Sequence, residues 1–243
     1  MRVFVTGGAG YLGAEVCRLA VRAGHEVVAT QFRAPAPHGR PVQLDIREPF
    51  DLEADVVVHT AYVQADPVTI VRGTENVARA AARAGARLVH LSTDLVFDGE
   101  HAPYTEDEEP RPVSAYGRAK LDAESVVDGL IVRTSLLYGK PGGPQEAMAA
   151  RGGTFYADEI RCPTRVDELA AALLELAALD VTGVLHVAAP DAVSRHELAL
   201  LLGARGAQTA PTPPGRARNV ALDSSRAARL LRTRLRGIRA LER

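Results

Sequence analysis

The chain has 243 residues, a length that suits one large α/β domain or one domain with a small appendage. Its composition is 47% hydrophobic and 24% charged, and the net charge of -1 gives no indication of a nucleic-acid or membrane partner. The two cysteines are far apart, the seven histidines show no metal spacing, and no apolar stretch reaches the roughly 18 residues of a membrane helix. We therefore expect a cytoplasmic protein without disulfides or a metal site.

Short apolar runs alternate with helical patterns over the first part of the chain. The predicted strands are Val3–Thr6, Glu26–Thr30, Val42–Leu44, Asp55–His59, Arg87–Ser92 and Leu130–Arg133, and the predicted helices are Tyr11–Ala23, Pro67–Ala84 and Ser114–Asp128. Repeated βαβ units of this kind predict a Rossmann-type α/β fold, a doubly wound parallel sheet with helices on both faces.

The pattern weakens after Tyr138. We predict a loop at Gly139–Pro144, a helix at Asp167–Leu179 and a strand at Val184–Val187. Ser194 followed by Glu197 is a capping-box pattern, which predicts another helix start. The predicted domains are accordingly residues 1–138, whose sheet is completed by later segments, and a small C-terminal lobe of residues 139–243 interleaved with it.

A glycine-rich turn follows the first strand and opens the first helix. Gly7, Gly10 and Gly13 allow a tight turn, close approach of the backbone to a pyrophosphate and close packing of helix on strand. The helix N-terminus then offers backbone N–H groups and a partial positive charge to phosphates. Because strand, turn and helix occur in one unit, the motif predicts a nicotinamide dinucleotide site.

The end of the second strand bears on the choice of dinucleotide. It lacks the acidic residue that holds the ribose hydroxyls of NAD, whereas Arg33 can pair with a 2′-phosphate. NADP(H) is therefore favoured, and NAD(H) stays open. Asp45, after the short third strand, is placed to meet the adenine amino group or to serve as a turn residue. The residues expected to contact the dinucleotide are Gly7, Gly10, Tyr11, Leu12, Gly13, Arg33, Asp45, Ile46, Thr60, Ala61, Tyr62, Tyr116 and Lys120.

Tyr116 and Lys120 are four residues apart on a predicted helix, so they project from one face. A carbonyl that accepts hydride needs a proton, and tyrosine can supply it if a nearby ammonium lowers its pKa from about 10. Thr93 follows Ser92 at the carboxyl end of a strand, the edge at which open α/β sheets bind ligands. Its hydroxyl can orient the carbonyl oxygen.

Several runs resemble the dTDP-4-dehydrorhamnose reductase family of the extended short-chain dehydrogenase/reductase superfamily. They are Val5–Gly13, His90–Gly99, Tyr104–Asp107, Pro112–Lys120, Arg133–Ser135, Arg161–Thr164, Asp167–Ala170 and Asn219–Asp223. The resemblance implies a catalytic triad of Thr93, Tyr116 and Lys120, with Tyr116 as proton donor. It also implies that residues 1–138 bind NAD(P) and that the later lobe binds a nucleotide sugar. The implied substrate residues are Thr93, Asp94, Leu95, Arg161 and Thr164.

The resemblance leaves three functions open. The first is an NADPH-dependent reductase of a 4-keto sugar nucleotide or a related carbonyl compound. The second is an epimerase or dehydratase that returns the hydride, since Asp94 beside Thr93 matches by type the acid of dehydratases. The third is a non-catalytic NADP-binding subunit, like the regulatory subunit of methionine adenosyltransferase. Leu95 stands where the family has a tyrosine, so the resemblance does not identify the substrate. The sequence also leaves open whether the protein forms a homodimer.

Overall fold

The computed structural model of the protein describes residues 1–242. The chain divides into two compact units by its contacts. The first comprises Met1–Ser92, Ala119–Val132 and Ala170–Val184, and the second comprises Thr93–Arg118, Arg133–Leu169 and Leu185–Arg243. Residues 93–118 thus belong to the second unit.

The strands of the main sheet are β1 (Arg2–Thr6), β2 (Glu26–Gln31), β3 (Arg40–Gln43), β4 (Val56–His59), β5 (Arg87–Thr93), β6 (Leu130–Thr134) and β11 (Gly183–His186). Among residues 1–242 their order in the sheet is β11-β6-β5-β4-β1-β2-β3. The pairs β1–β2, β2–β3, β1–β4 and β4–β5 are parallel, as the alternating pattern predicts. The doubly wound Rossmann-type fold is therefore confirmed.

Helices occur where the apolar spacing predicts them in the first part of the chain. These are α1 (Tyr11–Arg22), α2 (Pro67–Ala84) and α3 (Ala115–Glu124). The later helices are α4 (Pro144–Arg151), α5 (Val166–Ala177), α6 (Arg195–Leu201) and α7 (Ser225–Leu230), with 3-10 turns at Asp94–Val96 and Ile238–Glu242. The helix α2 begins because Asp66 accepts hydrogen bonds from the next amides, and it ends at Gly85 in the left-handed conformation. No helix within residues 1–242 combines the length and apolar composition that a membrane span requires.

The first unit has an apolar core formed by strands of the main sheet, the helix α2 and the segments around Ile46 and Ala54. It is built from Phe4, Val28, Ile46, Ala54, Val57, Val77, Ala81 and Leu88. All four residues of β4 are buried, which matches its continuous apolar run and fixes the strand in the middle of the sheet.

Short strand pairs organise the second unit. They are β7 (Leu137–Tyr138) with β10 (Thr164–Arg165), β9 (Ile160–Arg161) with β12 (Val193–Ser194), and β8 (Thr154–Tyr156) with β13 (Gln208–Ala210). The helix α6 follows β12, and its N-cap Ser194 accepts a hydrogen bond from the amide of Glu197, as the capping pattern predicts. These strands place Arg161 and Thr164 on neighbouring short segments.

Candidate active site

The glycine turn lies between β1 and α1 in the first unit. Gly7 has a φ of +71°, and a Cβ there would lie 2.9 Å from Cα of Ala61. A Cβ on Gly13 would collide with the carbonyl oxygen of Gly7. Gly10 is the N-cap of α1 and supplies no side-chain cap. The turn thus presents backbone at a helix N-terminus, the arrangement that accommodates a pyrophosphate.

His59 is hydrogen-bonded to the residue that precedes the glycine turn. Its Nδ1 lies 2.6 Å from Oγ1 of Thr6, the last residue of β1, and its Nε2 lies 3.0 Å from Oγ1 of Thr74. Because the Thr74 hydroxyl donates its proton to the Ile70 carbonyl at 2.6 Å, it must accept from Nε2. The ring is therefore a neutral imidazole with both nitrogens bonded. Burial, with the Lys120 charge nearby, lowers the pKa of His59 to about 3.

The loop after β4 borders the turn. Thr60 donates from Oγ1 to the Thr6 carbonyl at 2.8 Å, and the Ala61 amide donates to Oγ1 of Thr6 at 3.3 Å. Tyr62 is 45% exposed, and its ring centre lies 5.6 Å from Nζ of Lys120. The three residues predicted at this loop are thus brought between the glycine turn and Lys120.

Two arginines flank an exposed phenylalanine beyond β2. Cζ of Arg33 lies 5.8 Å from the ring centre of Phe32, and Cζ of Arg47 lies 5.6 Å from it. Arg47 also binds Asp45, with Nη2 2.6 Å from Oδ2, and this hydrogen bond lowers the pKa of the Asp45 carboxyl. Arg47 was not predicted from the sequence, although it follows directly on Asp45 and Ile46. Ile46 itself is buried, and its carbonyl accepts from the side chain of Asn76 at 3.0 Å.

Lys120 lies within the first unit with only 3% of its surface exposed. Its Nζ donates to the Leu91 carbonyl at 2.5 Å and lies 3.4 Å from Nε2 of His90. Burial lowers the pKa of Lys120 to about 8, while the Glu124 carboxylate acts in the opposite direction. Glu124 is itself buried and accepts a short hydrogen bond from Ser92. The ammonium therefore titrates far closer to neutrality than an exposed lysine does.

Tyr116 precedes Lys120 by one turn on α3, whose first residues belong to the second unit. Within that unit the helix approaches the 3-10 turn after β5 so closely that a Cβ on Gly117 would overlap the Leu95 carbonyl oxygen. Gly117 also donates its amide to Oγ of Ser114 at 3.0 Å, which fixes the start of the helix. The glycine of the Tyr-Gly-x-x-Lys run is therefore required by packing.

Thr93 begins the 3-10 turn of the second unit. Its Oγ1 accepts from the Leu95 amide and donates to Oδ1 of Asp94, both at 3.2 Å. Asp94 is fully buried and pairs with Arg161 through Nε at 2.7 Å and Nη2 at 2.5 Å. Ser135 donates to the same carboxylate at 2.5 Å. Both Asp94 oxygens thus act as acceptors in a closed, buried ion pair.

A second buried acid joins three arginines in the second unit. Glu159 is 2% exposed and accepts from Arg216 at 2.7 Å, with Arg161 at 3.7 Å and Arg195 at 3.9 Å. Burial lowers the pKa of Arg195 to about 10. Arg216 also lies over the ring of Tyr156, 5.2 Å from its centre. This cluster could not be predicted from the sequence, because its members come from separated segments without a common spacing.

Thr164, predicted near the substrate, has its hydroxyl engaged within the second unit. Oγ1 donates to the Cys162 carbonyl at 3.1 Å and accepts from the Ala189 amide at 2.9 Å, and the residue is fully buried. Leu95 is half-buried. Within residues 1–242, no group of His, Cys, Asp and Glu side chains has an arrangement that could hold a metal ion.

Comparison with known proteins gives a match over nearly the whole chain. Residues 1–239 match the family described as the RmlD substrate binding domain. A dTDP-4-dehydrorhamnose reductase of Mycobacterium tuberculosis is 34% identical over 227 residues, which cover 80% of this chain and 72% of that protein. The methionine adenosyltransferase 2 subunit beta of Rattus norvegicus is 29% identical over 237 residues, which cover 82% and 70%.

Solved structures give the same picture. A hypothetical dTDP-4-dehydrorhamnose reductase from Sulfolobus tokodaii superposes with a TM-score of 0.83 at 29% identity, with 96% of each chain covered. A dTDP-4-dehydrorhamnose reductase from Bacillus anthracis in complex with NADP superposes with a TM-score of 0.80 at 24% identity, with 98% of this chain and 95% of that chain covered. The second likeness is one of fold.

Proposed function

The chain belongs to the RmlD substrate binding domain family, and from that membership we propose that it is an NADPH-dependent reductase of a 4-keto sugar nucleotide or a related carbonyl compound. One observation carries the proposal. Lys120 is buried, its pKa is lowered to about 8, and Tyr116 lies one turn before it on α3. The glycine turn belongs to the same unit as Lys120. This combination suits reduction of a carbonyl by an NAD(P)-dependent oxidoreductase.

The residues of the first unit fit a dinucleotide. A side chain at Gly7 or Gly13 would clash with the surrounding backbone, so the turn that would approach a pyrophosphate is formed by glycine. Gly10 leaves the first amides of α1 without a side-chain cap, and a phosphate can bind such amides. Arg33, joined by Arg47, offers positive charge for a 2′-phosphate, in keeping with the NADP named for the Bacillus anthracis reductase. When bound, the reduced nicotinamide supplies a hydride.

In the proposed reaction the chain's own residues manage the proton and the charge. Tyr116 gives its phenolic proton to the carbonyl oxygen as negative charge develops there. Lys120 stabilises the resulting phenolate, since an adjacent ammonium favours the ionised form of a tyrosine. Thr93 orients the oxygen through its hydroxyl. We propose that the C-terminal lobe, with Asp94, Leu95, Arg161 and Thr164, shapes the substrate site.

The buried ion pair bears on the choice between reductase and dehydratase. A dehydratase needs the acid beside Thr93 as a proton donor. Both oxygens of Asp94 instead accept hydrogen bonds, from Arg161 and Ser135 among others. A carboxylate held in this way is suited to orienting Arg161, and this favours net reduction.

The experiment is to mix the purified protein with NADPH and a panel of 4-keto sugar nucleotides. We expect one NADPH to be oxidised per molecule of carbonyl compound reduced. Turnover without net oxidation of NADPH would contradict the reductase activity and indicate an epimerase or dehydratase instead.

A binding subunit is the competing function from another class. It is favoured by the 29% identity to a methionine adenosyltransferase subunit beta. Under this alternative the protein binds NADPH without consuming it, and Tyr116 can be replaced without effect. Thr93, Tyr116 and Lys120 are all present, which supports the enzyme.

A further inference from the structure

The environment of Lys120 contains an imidazole to which no role has been given. His90 is 1% exposed and lies on β5, next to the Leu91 carbonyl that binds the same ammonium. Nε2 of His90 lies 3.4 Å from Nζ of Lys120. Both side chains belong to the first unit, so the contact is internal to it.

The protonation of the pair follows from the chemistry of the ammonium. A protonated lysine has three N–H donors and no acceptor, so Nε2 of His90 must accept and the ring proton must reside on Nδ1. Burial, together with the Lys120 charge and His59, lowers the pKa of His90 well below its usual value. The ring therefore stays a neutral acceptor over the range in which Lys120 titrates.

The Nδ1 atom of His90 is buried and has no hydrogen-bond partner among the described residues. A buried donor without an acceptor destabilises a fold, so leucine or valine would serve better at this strand position if packing were its only task. The contact with Lys120 is the compensating interaction on the other side of the ring.

His59 packs against the ring of His90. The two ring centres are 5.1 Å apart with an interplanar angle of 41°. His59 is fixed at both nitrogens, by Thr6 and Thr74, and cannot turn away. The His90 imidazole thus packs against a ring that is hydrogen-bonded to Thr6 at the end of β1.

We propose that His90 is the positioning residue of Lys120, an uncharged acceptor that holds the side chain in place and in its ammonium form. The other groups facing the ammonium are the Glu124 carboxylate on α3, the Tyr62 ring from the loop after β4, and His59 behind His90. The catalytic consequence rests on the proposed function. The contact between His90 and Lys120 does not depend on a bound substrate.

The chain offers a direct readout, because Lys120 and Lys140 are its two lysines. Protein labelled with 13C and 15N in lysine gives two side-chain NMR signals, and Lys140→Arg assigns them. The Lys120 signal of the wild type should titrate at about 8. In His90→Leu the midpoint should fall by about one pH unit, since a hydrogen bond to a charged group is lost. In His90→Gln, whose amide oxygen still accepts, it should stay near the wild-type value.

Controls separate positioning from packing. His90→Val is a second acceptor-free variant should His90→Leu fail to fold, and His25→Leu is a partly exposed histidine control. Thermal unfolding monitors the fold of each variant. An unchanged Lys120 midpoint in a folded acceptor-free variant would overturn the proposal, as would a fall of the same size in His90→Gln.

The kinetic arm tests the catalytic consequence. Above the pKa of Lys120 the ammonium is lost, so kcat/KM should decline, and this alkaline limb should move to lower pH in His90→Leu by the same amount as the NMR midpoint. His90→Gln should keep the wild-type limb. If the NMR midpoint moves and no carbonyl compound is reduced, the proposed function fails and the contact stands. If reduction occurs with an unmoved midpoint, the positioning role fails alone.

Discussion

At the scale of single residues, the site is defined by how each charge is held. Lys120 is buried beside the Leu91 carbonyl, the His90 imidazole and the Tyr62 ring. In contrast, Arg33 is exposed, and Arg47 forms an ion pair with Asp45. The residue types were predictable, because Tyr-Gly-x-x-Lys and the strand-turn-helix glycines are local patterns. The partners were not, because Arg47 and His90 carry no signal until the fold places them beside Phe32 and Lys120.

Replacement of Arg33 or Arg47 by alanine should weaken NADPH binding. Loss of one charge-assisted contact to a 2′-phosphate corresponds to about tenfold in Kd. NADH, which lacks that phosphate, should be nearly unaffected. Fluorescence titration with both nucleotides measures the ratio, and Arg72→Ala, on the exposed surface of α2, is the matched control. Equal losses for NADPH and NADH would contradict the assignment.

The buried ammonium of Lys120 should lower the free energy of unfolding at neutral pH. Its pKa falls from 10.5 to about 8 on folding, so between these values the unfolded chain binds more protons and stability rises with pH. Below about pH 8 the buried ammonium therefore costs ~3 kcal/mol. Lys120→Met should raise the free energy of unfolding near pH 7 by up to that amount and abolish turnover. Urea unfolding near pH 7 and near pH 10 checks it. A gain that does not shrink at the higher pH would show that burial of charge is not its cause.

At the scale of elements, the long pieces follow from their patterns and the short ones do not. The sequence pattern predicts α2 to the residue, because Pro67 and Gly85 mark its ends. The strands of two or three residues in the second unit, and the helix α4, escaped prediction. Such segments are too short for a periodicity, and each is held by a partner distant in sequence.

The ion pair of Asp94 and Arg161 joins the 3-10 turn to β9 in the second unit. Asp94→Asn would leave the Arg161 guanidinium with a weaker buried partner, and breaking a buried pair typically costs about 3–5 kcal/mol. We expect the melting temperature to drop strongly. Glu109→Gln, in an exposed pair with Arg111, is the control and should change stability by less than about 1 kcal/mol. Equal effects of the two substitutions would show that Asp94 is not structurally required.

At the scale of the whole molecule, the two units draw on separated stretches of the chain. The first contains the glycine turn and Lys120, and the second contains Thr93, Tyr116 and the Asp94–Arg161 pair. The parallel sheet was predictable because each βαβ unit is local. The grouping of residues 93–118 with the second unit depends on long-range contacts, such as those of Asp94 with Arg161 and of Gly99 with Ala217.

The most direct test of the account is the rate of NADPH oxidation by wild type and Tyr116→Phe with the same 4-keto sugar nucleotide, alongside the Kd for NADPH. The wild type should turn over, and Tyr116→Phe should lose about 10²–10⁴-fold in kcat, the usual contribution of a general acid, with a Kd within a few-fold of wild type. Turnover that survives in Tyr116→Phe would contradict Tyr116 as proton donor. NADPH binding without turnover of any carbonyl compound by the wild type would contradict the reductase itself.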